Sequence, residues 1–123
     1  MDRLAPYFPA LRPAWTERPA ILGSDFGGAT RLEARDAFFA RHPRVPESVL
    51  RPIFRRHGAL ADDVVGDGDL GEPLGGGLTE RELRYFVDRE WAVTADDVLW
   101  RRSKAGLQMT AAQRGRVASL LGR

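Results

Sequence analysis

The 123-residue sequence has no cysteine and only two histidines, His42 and His57. Without cysteine there are no disulfides, no thiolate metal sites and no thiol nucleophile. No apolar run approaches the ~18–20 residues that a membrane-spanning helix requires. The opening MDRLAPYFPALRPAW is broken by prolines and offers no apolar stretch long enough for a secretion signal, so a cytoplasmic location is expected. There is no G-x-S-x-G elbow, no internal repeat and no convincing period-two run of the kind a half-buried strand leaves. The length suits one domain around one core.

What the sequence does have is charge, and it is segregated. Residues 31–57 hold seven Arg against three acids, residues 58–100 three Arg against eleven acids, and residues 101–123 six bases and no acid. Opposite blocks within one small domain can satisfy each other, so internal or subunit-level complementarity is expected ahead of nucleic acid. The bases of the tail are not interleaved with stacking aromatics; Trp100 is the only aromatic in or beside it.

Residues 1–29 are punctuated by Pro6, Pro9, Pro13 and Pro19 and then by the turn SDFGG, which predicts an extended arm whose Tyr7, Phe8, Leu11 and Trp15 need a surface to lie on. Residues 30–123 read as helices. Four Thr each stand three positions before a group able to close a capping box: Thr30 with Glu33, Thr79 with Glu82, Thr94 with Asp97 and Thr110 with Gln113. In RVPESVLRPIFRRHG, Pro46 suits a first turn, Gly58 a stop, and Pro52 a kink or division. Apolar stripes at helical spacing (Val49, Leu50, Ile53 and Phe54; Leu83, Phe86, Val87 and Trp91; Val117, Leu120 and Leu121) mark core faces. The nearest to a period-two run is the short Ala61–Val65 stretch, which reads as well as a short helix. The expectation is an all-α fold, a compact bundle of five or six helices with a Gly-rich connecting loop over 66–77.

One glycine-rich stretch invites two ligand readings. GDGDLG, Gly66 to Gly71, spells the dinucleotide pattern G-x-G-x-x-G, but only Val64 and Val65 could precede it as strand, and no helix opens from Gly71. Asp67 and Asp69 would also place negative charge where a pyrophosphate must sit. The letters predict an acidic turn. A calcium loop starting at Asp63 fails as well, with Val65 at its third position and Leu74 in place of the bidentate Glu. His42 and His57 each fall at a helix end, where capping of free carbonyls is the expected role.

TADDVLWRRSKAGL, Thr94 to Leu107, is the most informative stretch. Thr94 caps it, Asp96 and Asp97 sit at the positive end of a helix dipole, Arg101, Arg102 and Lys104 at the negative end, and Gly106 is placed to close it in a left-handed conformation. The cations suit the dipole; they also suit a carboxylate or phosphate on another domain, with Trp100 as an anchor.

The run LTERELRYFVDREWAVTADDVLWRRSKAGLQMTAAQRGRV resembles the C-terminal part of the FAD-dependent, quinone-linked glycerol-3-phosphate dehydrogenases. That family carries E-L-x-Y-x-V-x-x-E-W followed by A-D-D-x-L-W-R-R-T-K-x-G. The first motif is met by Glu82, Leu83, Tyr85, Val87, Glu90 and Trp91, and the second by Ala95, Asp96, Asp97, Leu99, Trp100, Arg101, Arg102, Lys104 and Gly106. Ser103 stands where Thr is usual and keeps the hydroxyl. LAPYFPALRPAWT also looks like the family's entry into this domain, and the likeness is weakest between Gly23 and Val65.

The resemblance implies a parent enzyme that oxidises glycerol 3-phosphate to dihydroxyacetone phosphate and passes electrons through FAD to quinone, peripherally on the cytoplasmic face of the inner membrane. The flavin-binding domain would lie upstream in the same chain and be this domain's partner, with a homo-oligomer as a further possibility. No catalytic, cofactor-binding or metal residue is carried over to this chain; Trp100, Arg101, Arg102 and Lys104 are the candidates for interdomain or anion contact. The rival expectation is an independent helical module whose basic tail grips an acidic partner or nucleic acid, with binding that weakens steeply as salt rises.

Overall fold

The computed structural model describes residues 5–7, 10 and 21–122. Five α-helices dominate it: α1 (Arg31–Arg41), α2 (Glu47–His57), α3 (Ala61–Val65), α4 (Glu80–Glu90) and α5 (Ala111–Leu121). Two of the expected capping boxes start α1 and α5. Thr30 N–H donates to Glu33 Oε2 at 2.8 Å while Glu33 N–H donates back to Thr30 Oγ1, and Thr110 with Gln113 repeats the arrangement. α2 runs undivided through Pro52, against the expected break. Among the described residues no helix is long and apolar enough to cross a membrane.

Three local expectations are corrected. The Gly-rich connection is partly a small antiparallel hairpin, β1 (Pro73–Gly75) with β2 (Leu78–Thr79). Gly75, Gly76 and Gly77 all take positive φ, and this lets the chain reverse so tightly that Leu74 and Leu78 both enter the core. Strands of three and two residues are too short to leave a period in the sequence. The arm is not extended throughout, since Ala5–Tyr7 forms a 3₁₀ turn; Phe8, Leu11 and Trp15 lie outside the described residues. The SDFGG turn is present, with Gly27 N–H on Asp25 Oδ1 at 3.0 Å.

The third correction is to TADDVLWRRSKAGL. Instead of one α-helix closed by Gly106, residues Asp97–Arg102 form a π-helical turn, Lys104 takes the left-handed conformation at φ 59°, and Ala105–Gln108 form a 3₁₀ turn. The cause is packing at Gly106. A Cβ there would stand 2.8–2.9 Å from three atoms of the Trp100 ring, so the glycine is used for close approach and the reversal moves to Lys104.

The core is two clusters rather than one. Phe38, Leu50, Ile53, Phe54, Ala61, Val64, Val65 and Leu70 form the first. Leu74, Leu78, Leu83, Phe86, Ala92, Val98, Leu99, Ala105, Met109 and Val117 form the second. Tyr85 packs on the first and Phe86 belongs to the second, and the His57 ring lies 5.2 Å from each of their rings. His57 therefore stands at the seam.

Candidate functional site

The seam is closed by charge. Glu82, in the first turn of α4, is fully buried, and Arg56 in the last turn of α2 reaches it with both arms of its guanidinium: Nε to Oε1 at 2.6 Å and Nη2 to Oε2 at 2.6 Å. His57 Nε2 meets the same Oε1 at 2.7 Å, and its Nδ1 lies 3.6 Å from Glu90 at the other end of α4. Arg56 Nη2 also donates to Gly77 O at 2.7 Å, tying the hairpin turn into the network. Burial pushes the Glu82 carboxyl up, but hydrogen bonds from His57 and Arg56, with their charge, outweigh it and hold the carboxyl below its ordinary range.

A second clamp of the same kind joins α1 to α3. Arg41 and His42 both grip Asp62, His42 Nε2 at 2.7 Å from Oδ1. Burial raises the Asp62 carboxyl and the bonds from Arg41 and His42 lower it, the net direction being down. The expected capping of free carbonyls is thus corrected, since both imidazoles meet carboxylates. His42 does end α1, its backbone N–H on Phe39 O, but each imidazole holds a carboxylate from 20 or 25 residues away.

Sequence spacing concealed these partners because they are distant along the chain. One signal was present: Glu82 lies four residues before Phe86, on the buried face of α4, where a carboxylate must be paired. The capping role expected of Glu82 is only half realised. Its backbone N–H donates to Thr79 Oγ1 at 3.4 Å, while its side chain turns inward to Arg56 and His57.

Beside the seam opens a cleft of about 670 Å³ whose walls include Phe26, Arg31, Arg55, Tyr85, Arg89 and Glu90. His57 forms part of its floor, but with 2% of its side chain exposed and Glu82 on Nε2 it offers little of an acid–base face. The arrangement works as a bolt between α2 and α4.

The Gly66–Gly71 loop is filled by its own carboxylates. Asp67 Oδ1 accepts from Asp69 N–H at 3.3 Å and Asp69 Oδ1 from Gly71 N–H at 3.1 Å, so amides that would have to face a phosphate face aspartates. Leu70 is buried and its carbonyl accepts from Arg81 N–H, which pins the loop to α4.

The four residues singled out by sequence sit on the reversal after α4. Trp100 is partly buried over Gly106 and packs on the second cluster. Arg101 is exposed and pairs with Asp97 at 2.8 Å; Arg102 Nε lies 4.0 Å from Glu90, and Lys104 is exposed. Asp97 Oδ2 accepts from the Thr94 and Val93 backbone amides and from the Thr94 hydroxyl, which holds its carboxyl down at about 2. Sequence reading placed Trp91 on a core stripe. The structure exposes 85% of it, at φ 57°, immediately after α4.

Comparison with known proteins gives a consistent picture. A family model described as the C-terminal domain of alpha-glycerophosphate oxidase matches residues 14–121. The aerobic glycerol-3-phosphate dehydrogenase of Escherichia coli (strain K12) is 36% identical over 129 aligned positions, covering 98% of this chain and 25% of that protein. A glycerol-3-phosphate dehydrogenase of Pseudomonas aeruginosa is 37% identical over 126 positions, 98% of this chain and 24% of its own length. The D-erythritol 1-phosphate dehydrogenase of Brucella abortus (strain 2308) is 35% identical over 118 positions, 93% and 24% respectively. The chain spans about a quarter of the length of the relatives it matches.

Proposed function

The chain belongs to the family of C-terminal domains of alpha-glycerophosphate oxidase, and from that premise we propose that it is the non-catalytic helical domain of a larger flavoenzyme. The parent oxidises glycerol 3-phosphate to dihydroxyacetone phosphate, and its electrons leave through FAD to quinone. In this reading the parent meets quinone as a peripheral protein on the cytoplasmic face of the inner membrane. This domain's partner is the flavin-binding part of the same polypeptide, and Trp100, Arg101, Arg102 and Lys104 belong to the contact between them.

The observation that carries the reading is a near-equality. Relatives named for glycerol 3-phosphate and for D-erythritol 1-phosphate align with this chain at 36% and 35% identity, each through about a quarter of its own length. This chain stands equally far from both, so its sequence follows neither substrate. The residues agree: the buried acids and imidazoles are spent on one another, and the Gly66–Gly71 amides are occupied by Asp67 and Asp69, a poor fit to the pyrophosphate of FAD. FAD therefore belongs to the remainder of the parent, where it supplies the hydride-accepting chemistry.

A domain exchange tests this. Grafted in place of the corresponding quarter of the Escherichia coli and Brucella abortus enzymes, this chain should leave each recipient's preference between glycerol 3-phosphate and D-erythritol 1-phosphate unchanged, read as the ratio of kcat/KM values. A preference that moved with the grafted domain would sink the non-catalytic reading.

A further inference from the structure

Trp91 is the most costly surface residue in the structure. The α4 helix ends with Trp91 N–H and Ala92 N–H both on Phe86 O, and Ala92 buried in the same cluster as Phe86. Trp91 takes the left-handed conformation there, at φ 57° and ψ 32°, a place glycine normally fills. Only Trp91 and Lys104, among the described non-glycine residues, have positive φ. A bulky aromatic there is strained, and strain of this kind clusters where a binding surface is built. The strained ring is also 85% exposed, and two further apolar side chains in the same segment, Val93 and Leu107, are each 76% exposed.

Cations belong to the same segment. Arg102 approaches Glu90, the residue before Trp91, at 4.0 Å; the Val93 amide and Arg101 share the Asp97 carboxylate; Leu107 N–H donates to the carbonyl of Lys104. Trp100, the aromatic that sequence pattern favours as anchor, is engaged with Gly106. A segment that exposes an aromatic, two apolar side chains and two arginines has the composition of an interface.

We propose that Glu90–Leu107 is the face that docks this domain onto the flavin-binding remainder of its own polypeptide, Trp91 entering an apolar socket whose rim carries carboxylates for Arg101, Arg102 and Lys104. The proposal rests on the reading of the chain as part of a longer flavoenzyme. The occupant follows from size and charge. The relatives contain about three times this chain's length beyond the matched region, and Arg101 and Lys104 remain exposed, which suits a counterpart that carries carboxylates.

The test is hydroxyl-radical footprinting of the full-length parent against the 123-residue chain. Labelling follows exposure, so burial of Trp91 from 85% to core-like values reduces its labelling roughly tenfold in the parent. Two variants extend it. Trp91→Gly relieves the backbone, so the isolated chain should melt at the same or a higher temperature, while Val93 and Leu107 in the parent become labelled as they are in the isolated chain. Arg101→Glu with Arg102→Glu leaves Trp91 in place and should raise its labelling in the parent. Equal labelling of Trp91 in parent and isolated chain overturns the proposal. So does protection of Trp91 already in the isolated chain, accompanied by self-association in sedimentation, which would assign the face to a second copy. A parent that turns over glycerol 3-phosphate with Trp91 exposed removes the docking face alone; a parent with Trp91 buried and no flavin removes the functional reading alone.

Discussion

Glu82→Gln should destabilise this domain by about 3–5 kcal/mol, because it removes the fully buried carboxylate that pairs with Arg56. The amide keeps the shape of the carboxylate, so packing of α4 against α2 is not the quantity under test. Chemical denaturation at neutral pH measures the loss. A difference below about 1 kcal/mol, the range of exposed pairs, would mean that the bolt carries no such weight.

The same substitution should change the acid limb of the stability curve. The Glu82 carboxyl is held below its ordinary value in the folded state, so its contribution is complete above the unfolded value of 4.5 and is lost as pH falls toward the folded one. In the wild-type chain the melting temperature should therefore fall below pH 4.5, more steeply than in Glu82→Gln, where this group no longer titrates. Replacing the whole cluster with apolar residues of matching volume is a different experiment, since such replacements of buried ion pairs are often neutral or stabilising. What the bolt supplies is the register of α2 against α4 at a seam between two apolar clusters, where apolar contacts alone are less selective.

Gly58→Ala should be comparably damaging, for a backbone reason. Gly58 ends α2 at φ 57° and ψ −122°, a conformation that L-residues avoid, and a Cβ there would stand 2.0 Å from the carbonyl oxygen of Gly23. Both partners of that collision are main chain, so no side chain can swing away, and the Gly23 carbonyl already accepts Ala59 N–H at 2.9 Å. Strain and overpacking together are expected to cost about 2–5 kcal/mol. Gly27→Ala is the control: Gly27 has φ 62° but nothing within 4 Å of its Cβ direction, so only the left-handed strain of about 1–2 kcal/mol applies. If the two variants melt together, the Gly23–Gly58 approach is not the constraint described here.

What could be read from the sequence was what is local. Thr30–Glu33 and Thr110–Gln113 announce their helices because cap and partner lie within one turn. Leu50, Ile53, Phe54, Leu83 and Phe86 announce their core faces because helical spacing is a local property. Hidden from such reading was whatever depends on who lies opposite. Glu82 completes a capping motif by its letters, yet its side chain is claimed by Arg56, 26 residues earlier. Trp91 falls on an apolar stripe by spacing, but the ending of α4 after Glu90 swings it off the helix and into solvent. TADDVLWRRSKAGL has every helix signal in order, yet it forms a π-helical turn in which Trp100 lies on Gly106, a contact that no local signal announces. Arg101, Arg102 and Lys104 are legible as cations that suit either the helix dipole or an anion on another domain; that Asp97 meets Arg101 follows from their spacing of four residues.

The central claim is that this domain serves a flavoenzyme without holding its chemistry, and one side-by-side measurement addresses it. The full-length parent and the 123-residue chain are purified under the same conditions, and their visible absorption spectra are recorded before and after adding glycerol 3-phosphate. The account predicts a flavin spectrum in the parent that bleaches on substrate addition, and a colourless, folded, inactive isolated chain. A flavin spectrum in the isolated chain, or a full-length protein whose flavin no polyol phosphate reduces, would contradict it.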